Sequence, residues 1–373
     1  MAAFDDAGAR TDAQAGPPPA ALRRILSSGI AAPSAENRHF LRFEPARGGV
    51  DLVSTDVSSW PRQPHRRPLA LLSYGAVIEN MTLRAAACGY AQDTRWLPDP
   101  SRPELVVACR WSSAAAASAD PLDDAIERRH TNRRFFRAEA VARAVRDRIA
   151  AAAADVPGAR LLWLDEADAR ATALQAIRMA ETERFRRECL HRELFEAVRF
   201  ELGWTRSADE GLPPGALEVE PPMRALFAAL RRWPLMRAGT RIGLHRALGL
   251  RAGYLPCRLA PHLGLVLCDD PEVALRPMGA GRALERAWLA ATAEGIAFQP
   301  MAAALALMHQ RPGDGWVSAQ VQERLRDRLQ RLTAGRAECA WMFLRIGHAQ
   351  APSVVTGRPA LERFEGPSAP GAS

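Results

Sequence analysis

One helical segment occurs twice in this chain of 373 residues, which constrains the fold more than any other feature of the sequence. Gly75–Ala91 (GAVIENMTLRAAACGYA) aligns with Gly281–Ala297 (GRALERAWLAATAEGIA) at a constant shift of 206 residues, with glycine, glutamate, leucine and alanine matching. Alanine-rich composition could make two unrelated helices alike, but two glycines and a glutamate at one shift favour duplication. An apolar strand follows each copy, at Glu104–Arg110 and at Trp341–Ile346, so we expect two related halves.

The rest of the chain mixes strand and helix patterns. Residues His39–Val53 predict two strands around a Gly48-Gly49 turn. Further strands are predicted over 161–164 and 262–268, and helices over 69–89, 141–154, 174–200 and 277–295. This pattern predicts an α+β fold with helices layered around antiparallel or mixed sheets, internally duplicated.

Turn residues and composition suggest the boundaries of the halves. We expect a flexible N-terminal arm over 1–20, a first half over 21–120, a second half over 121–365 and a loose tail over 366–373. Residues 203–222 are rich in glycine and proline, which predicts a lid or wrapping loop within the second half.

Arginine supplies all 50 basic residues, and lysine is absent. This excludes a lysine Schiff base, a Walker-A lysine and a kinase strand lysine. The net charge of +8 suggests anionic partners. Arginines interleave with acids, as in Glu181–Arg192, which is more typical of a solvated helix face than of a nucleic-acid surface.

The six cysteines form no CxxC pair, so we expect buried, reduced thiols and no metal site. No stretch is apolar enough to span a membrane, and the N-terminus lacks the apolar core of a secretory signal. We therefore expect a cytoplasmic protein with neither a membrane nor a nucleic acid as partner.

Two short segments carry candidate chemistry. Ala32–Phe43 contains a Pro33-Ser34 turn, with Asn37 just before a strand. An amide side chain matches a ligand edge that bears both a donor and an acceptor, such as a flavin pyrimidine. Arg128–Phe136 concentrates four arginines with a threonine and an asparagine, and guanidinium groups suit phosphate oxygens. Taken alone, each segment is better explained as an ordinary turn or a basic surface.

Taken together, the two segments resemble motifs of the FMN-dependent nitroreductase family. The first is similar to Pro-Ser-x-x-Asn-x-Gln-Pro-Trp-Arg-Phe, although His39, Phe40 and Leu41 depart from it. The second is similar to Arg-Arg-Ser-x-Arg-x-Phe, with His130 in place of the second arginine. Arg358 follows the last strand, as a phosphate-binding arginine does in that family. The motif order is reversed relative to single-domain members, which is similar to the two-domain, Acg-like branch and implies a fused pseudo-dimer.

The resemblance implies a nitroreductase-like fold with one FMN site between the halves. Ser34 and Asn37 would bind the flavin ring, and Arg133 and Arg358 the phosphate. The full set of implied cofactor-binding residues is Pro33, Ser34, Asn37, His39, Arg129, His130, Thr131, Asn132, Arg133, Gly279 and Arg358. No catalytic side chain and no metal ligand is predicted.

Three functions remain open from the sequence. The first is an oxidoreductase that moves electrons from NAD(P)H through FMN to an unknown electron-poor small molecule. The second is a flavin-binding or storage protein with little turnover. The third is a basic nucleic-acid module, against which the interleaved acids argue. We expect a monomeric pseudo-dimer or a weak homo-oligomer.

Overall fold

A computed structural model describes residues 16–114, 119–310 and 316–366, and most of the predicted arm and tail lies outside these ranges. The predicted mixture of helices and sheets is confirmed. The strands are β1 (Leu41–Ala46), β2 (Gly49–Ser54), β3 (Tyr90–Trp96), β4 (Leu105–Ser113), β5 (Ala159–Trp163), β6 (His262–Cys268), β7 (Ala297–Met301) and β8 (Ala340–Gly347). The helices are α1 (Pro19–Ile30), α2 (Arg66–Ala87), α3 (Arg143–Ala154), α4 (Ala167–Arg186), α5 (Glu188–Ala197), α6 (Arg224–Leu230), α7 (Trp233–Arg241), α8 (Leu244–Gly249), α9 (Leu255–Leu259), α10 (Arg276–Ala293), α11 (Ala303–Met308) and α12 (Ala319–Leu332).

The strands form two sheets of four, and every ladder in both sheets is antiparallel. The first sheet has the order β1-β2-β4-β3 and the second has the order β5-β6-β8-β7. If the strands are numbered within each half, both sheets have the order 1-2-4-3. A long helix joins the second and third strands of each sheet, α2 in the first and α10 in the second. The register also shifts at one point in the β2–β4 ladder and at one point in the β6–β8 ladder.

The two long helices pack directly against each other through glycines. A Cβ on Gly75 would lie 2.1 Å from the carbonyl oxygen of Met278, and one on Gly281 would lie 1.9 Å from that of Leu72. Both distances are far below van der Waals contact, so only glycine fits at either position. Leu72 and Met278 are separated by 206 residues, as are Gly75 and Gly281. The contact is therefore reciprocal, as in a two-fold symmetric interface.

The C-terminal segment returns to the first sheet. Leu361 and Phe364 are buried in the apolar core beneath that sheet, together with residues of α1 and α2. An isolated parallel bridge joins Phe43 of β1 to Glu365. The end of the described chain therefore adds apolar area to the core of the first half.

The halves differ most between their first two strands. A tight turn containing Gly48, whose φ is +72°, joins β1 to β2. Between β5 and β6 the chain instead runs through residues 164–261, which form α4 to α9 and the segment 203–222. The regular structure described in 203–222 is limited to short 3₁₀ turns, at Pro214–Leu217 and beginning at Pro221, and an isolated bridge from Leu212 to Val198. None of the described helices is long and apolar enough to cross a membrane.

Candidate functional site

A cavity of about 530 Å³ lies between the two halves. Its wall includes residues of the Pro-Ser segment, the arginine-rich segment, α2, α10 and the helices inserted between β5 and β6. Eight of the eleven residues predicted from the sequence line it: Pro33, Ser34, Asn37, His39, Arg129, Thr131, Arg133 and Arg358. The two motifs therefore face one space, although about 100 residues separate them along the chain.

The Pro-Ser segment holds two consecutive residues in the left-handed backbone region. Glu36 has φ 58° and Asn37 has φ 56°. Non-glycine residues seldom adopt this conformation, and it persists only where the surroundings fix it. The Asn37 amide donates to the carbonyls of Asp209 and Gly211 at 3.1 and 3.3 Å, and its oxygen accepts from Arg358. Asn37 thus ties segment 203–222 to the cavity, and its amide is engaged by protein groups.

Ser34 and His39 complete this side of the cavity. The Ser34 hydroxyl is buried and has no hydrogen-bond partner within the described residues. His39 Nε2 lies 3.1 Å from the carbonyl oxygen of Ile30 and 3.2 Å from that of Ala32. Burial, with Arg358 nearby, lowers the pKa of His39 to about 3, so the ring is neutral near pH 7. An unpaired buried hydroxyl costs stability unless a ligand or water satisfies it.

Arg129 is held by groups of its own. Its Nε lies 3.1 Å from Glu285 Oε1, and its Nη2 donates to the carbonyl of Ala31 at 2.8 Å. The guanidinium also lies over the Trp288 ring, 4.5 Å from the ring centre. Burial raises the pKa of Glu285, while the adjacent guanidinium opposes that rise. Arg129 therefore braces α10 against the arginine-rich segment and is only partly available to a ligand.

Arg133 and Arg358 lack such a counterion. Neither forms a salt bridge with any described residue, and both contact only uncharged protein groups. Arg133 donates to the carbonyl of Ala216 at 3.2 Å, and Arg358 donates to that of Ala32 at 3.2 Å. Burial lowers the pKa of Arg133 to about 10 and that of Arg358 to about 9. Buried positive charge without a partner is unfavourable, so this cavity favours an anionic ligand.

Three of the eleven predicted residues lie away from the cavity wall. The His130 ring faces the carbonyl of Arg128. Asn132 braces the backbone, because its amide donates to the carbonyl of Gln350 and its backbone N–H to that of Phe298. Gly279 faces β6, where a Cβ would lie 2.8 Å from the sulfur of Cys268. Along an irregular segment, neighbouring side chains point to different sides, which spacing alone does not reveal.

A charged group that no motif indicated also lines the cavity. Glu36 lies near Glu193, Arg184, Arg38 and Arg66. Burial, reinforced by the Glu193 carboxylate, raises the pKa of Glu36 to about 7. This carboxyl can therefore hold or release a proton near neutral pH.

Glu193 is itself held in place. Its Oε2 lies 2.7 Å from Nε2 of His65, whose ring centre lies 4.4 Å from that of Trp316. Glu36, Glu193 and His65 come from three distant parts of the sequence. Their proximity follows from the fold, and no local pattern could have indicated it.

No protein-family model matches this sequence, and no curated protein matches it. Solved structures with a related arrangement of elements include an FMN-bound nitroreductase from Bacteroides fragilis, at 14% identity and a TM-score of 0.34, covering 62% of this chain and 89% of that one. Another is the FMN-dependent nitroreductase NfnB from Mycobacterium smegmatis in complex with NADPH, at 19% identity and a TM-score of 0.33. This match covers 61% of the present chain and 87% of NfnB. A third is an FMN-bound nitroreductase from Desulfitobacterium hafniense, at 14% identity and a TM-score of 0.34. This match covers 66% of the present chain and 97% of that nitroreductase.

Proposed function

We propose that the cavity binds FMN and that the protein is an FMN-dependent oxidoreductase of the nitroreductase kind. The observation that carries the proposal is the pair Arg133 and Arg358, two partly buried guanidinium groups that face one cavity and form no salt bridge with any described residue. FMN is an anion with both a phosphate and a ring that becomes anionic on reduction.

The residues present fit this cofactor. The cavity volume of about 530 Å³ lies within the range of small-molecule and cofactor sites. Arg133 and Arg358 would neutralise the cofactor's anionic groups, and Thr131 and the unpartnered Ser34 hydroxyl would donate hydrogen bonds. His130, Asn132 and Gly279 have no part in this set, because they lie away from the cavity wall.

FMN would supply the redox chemistry by accepting a hydride from NAD(P)H and passing electrons to a small electron-poor acceptor. The chain's own residues position and shield it. Leucine and phenylalanine side chains of α5, α6 and α8 form an apolar wall that would exclude water. Glu36 adds a carboxyl that can donate or accept a proton at the cavity near neutral pH.

We also infer that the chain is a fused pseudo-dimer with one complete site. The reciprocal glycine contacts and the repeated strand order support this. The Pro-Ser-x-x-Asn pattern occurs once, in the first half, and the arginine-rich segment lies in the second. Each half thus contributes a different set of side chains to the same cavity.

Flavin storage is the second candidate function, and the hydrogen bonds from Asn37 to segment 203–222 favour it. The Asn37 amide holds segment 203–222 against the cavity, and Leu212 and Leu217 of that segment form part of the wall. A segment tied down in this way would slow the exchange of a cofactor and the entry of a second substrate.

The cofactor assignment is tested by visible absorption of the purified protein and by FMN titration of the apoprotein. We expect Arg133→Ala to weaken FMN binding about 10- to 100-fold, through loss of a charge-assisted contact. Arg110→Ala is the matched control, because Arg110 pairs with Asp51 on the first sheet, away from the cavity. Full flavin retention by the Arg133 variant, or a wild-type protein that binds no FMN, would overturn the assignment.

Turnover and storage are separated by anaerobic mixing of the FMN-loaded protein with NADPH and with NADH. Rapid bleaching of the flavin by either nucleotide supports the oxidoreductase. Flavin that is bleached by dithionite but by neither nucleotide supports storage.

A further inference from the structure

The net positive charge of the chain comes from a single stretch, residues 221–268. This stretch holds eight of the 50 arginines and no acidic residue, which leaves 42 arginines against all 42 acidic residues in the rest of the chain. Elsewhere arginines commonly pair with acids, as Arg84 does with Asp123. Only Arg251 of these eight forms a salt bridge with a described residue, and the seven without one include the exposed Arg232, Arg237, Arg241 and Arg246. This face therefore presents uncompensated positive charge to solvent.

The same stretch also exposes apolar side chains. Of the eight large hydrophobic residues that are exposed in the described chain, five lie here: Met223, Leu226, Leu235, Ile242 and Leu259. Ile242, at the end of α7, is 87% exposed, and Leu235 is 48% exposed. Ile242 directly follows the last residue of α7 and lies seven residues after Leu235, so the two side chains lie along the same side of this helix. We call the exposed face of residues 223–246 the cap surface.

We propose that the cap surface binds an anionic phospholipid bilayer, with Leu235 and Ile242 inserted at the boundary between headgroups and acyl chains. Short helices that combine exposed aliphatic side chains with unpaired arginines are typical of binding in the plane of a membrane interface. Each arginine near an anionic bilayer strengthens binding roughly fivefold. A protein without a spanning segment can still bind at a membrane interface, so this proposal replaces the expectation of no membrane partner.

Charge and apolarity together favour a lipid surface over the other anionic partner, nucleic acid. Phosphate contacts with DNA require arginine but gain nothing from an isoleucine that is almost fully exposed. The exposed aliphatic residues would remain in water in such a complex. In a bilayer, both kinds of side chain are satisfied in one contact.

The position of the cap surface adds a structural consequence. The inner sides of α6 and α8 contribute Phe227, Leu230, Leu244 and Leu248 to the cavity wall. Met223 and Leu226 also line the cavity, so a bilayer on the cap surface would lie next to it. The proposal is independent of what the cavity binds, since the cap surface is formed by the chain alone.

Binding of the full-length protein to sedimenting vesicles tests the proposal. We expect at least tenfold tighter binding to phosphatidylcholine vesicles containing about 30% phosphatidylglycerol than to pure phosphatidylcholine, weakened by salt. A triple Arg232→Ser, Arg237→Ser, Arg241→Ser variant should bind at least tenfold more weakly. Hydrogen exchange should show vesicle-induced protection within residues 223–246.

The matched control removes the same charge elsewhere, at exposed Arg24, Arg47 and Arg324, and should retain most of the binding. Ile242→Ser should weaken binding although the net charge is unchanged. The proposal is overturned if anionic vesicles do not bind the wild type or if both triple variants lose binding equally. It is also overturned if Ile242→Ser has no effect, or if duplex DNA binds more tightly than the vesicles. Circular dichroism of each variant verifies that the fold is intact.

Discussion

The two halves of the chain have the same sheet order but differ in what joins their first two strands. In the first half the connection is a tight turn at Gly48, whereas in the second it is residues 164–261. The shared part builds the scaffold and the helix crossing between the halves. The unshared part supplies helices that cover the cavity. Two similar frameworks thus enclose a cavity that is asymmetric.

The same contrast holds at one repeated position. Glu79 in α2 and Glu285 in α10 are 206 residues apart and both are buried. Glu79 accepts from Arg282 at 2.7 Å and from Arg286 at 2.9 Å, both on α10. Glu285 faces Arg129 of the arginine-rich segment instead. Glu79 therefore links α2 to α10, while Glu285 positions Arg129 at the cavity.

The largest expected effect comes from the helix crossing. Gly281→Val should destabilise the fold by more than about 4 kcal/mol, because its Cβ would collide with the carbonyl of Leu72. Gly75→Val should cost a similar amount if the contact is reciprocal. Urea unfolding measures both, with Ala293→Val at the exposed end of α10 as the control. A stable Gly75 variant beside an unfolded Gly281 variant would show that the halves do not contribute equally.

The two glutamates should differ by a smaller amount. Glu285→Gln leaves Arg129 buried without a counterion and should cost about 3 kcal/mol. Glu79→Gln removes one acidic partner from Arg282 and Arg286. These arginines keep other acidic partners or some access to solvent, so the substitution should cost about 1 kcal/mol. A combined Arg129→Met, Glu285→Met variant should be more stable than Glu285→Gln. Equal costs at Glu79 and Glu285 would contradict the contrast drawn above.

Glu36 gives a pH-dependent prediction. In the unfolded chain this carboxyl loses its proton near pH 4.5, but in the folded protein it keeps the proton to about pH 7. The folded state binds more protons in that interval, so the Glu36 contribution to stability falls as the pH rises from about 4.5 to 7. We therefore compare the free energy of unfolding of Glu36→Gln with that of the wild type. The difference should favour the variant by about 2 kcal/mol more at pH 8 than at pH 5.

Denaturant unfolding at the two pH values measures this difference. His39, whose pKa is depressed, has the opposite linkage and loses stability as the pH falls below about 6.5. It is present in both proteins and therefore cancels in the comparison. A difference that does not change with pH would show that Glu36 is ionised throughout.

The smallest expected effect concerns the hydrogen bonds from Asn37 to segment 203–222. Asn37→Ala removes hydrogen bonds to Asp209 and Gly211 and should cost about 1 kcal/mol. Hydrogen exchange should speed up in residues 208–217 and remain unchanged in β2, which serves as the internal reference. Unchanged exchange in that segment would show that other contacts hold it.

Elements with apolar runs were predictable from the sequence, whereas two edge strands and several short helices were not. Both long helices and the central strands β4, β6 and β8 carry continuous apolar runs, and the structure confirms them. β3 alternates partly buried with exposed residues and lacks an apolar run, so it was missed. β7 was missed because it contains Pro300, which a sheet tolerates only at an edge. Helices α6 to α9 were also missed, since short helices interrupted by glycine and proline give no sustained periodicity.

The motifs indicated residues that line one cavity. Ser34, Asn37, Arg133 and Arg358 all lie in its wall, and their role in binding a cofactor stays a prediction. That Asn132 points elsewhere depends on its bonds to Phe298 and Gln350, which only the folded chain reveals.

The crossing of α2 and α10 has a consequence for how such a protein can change over generations. In a homodimer one gene encodes both sides of a two-fold contact, so any substitution appears twice and must be tolerated at both places. Here Gly75 and Gly281 are encoded separately, and each side can mutate alone. Positions beyond the crossing are then free to differ, and Glu79 and Glu285 do have different partners.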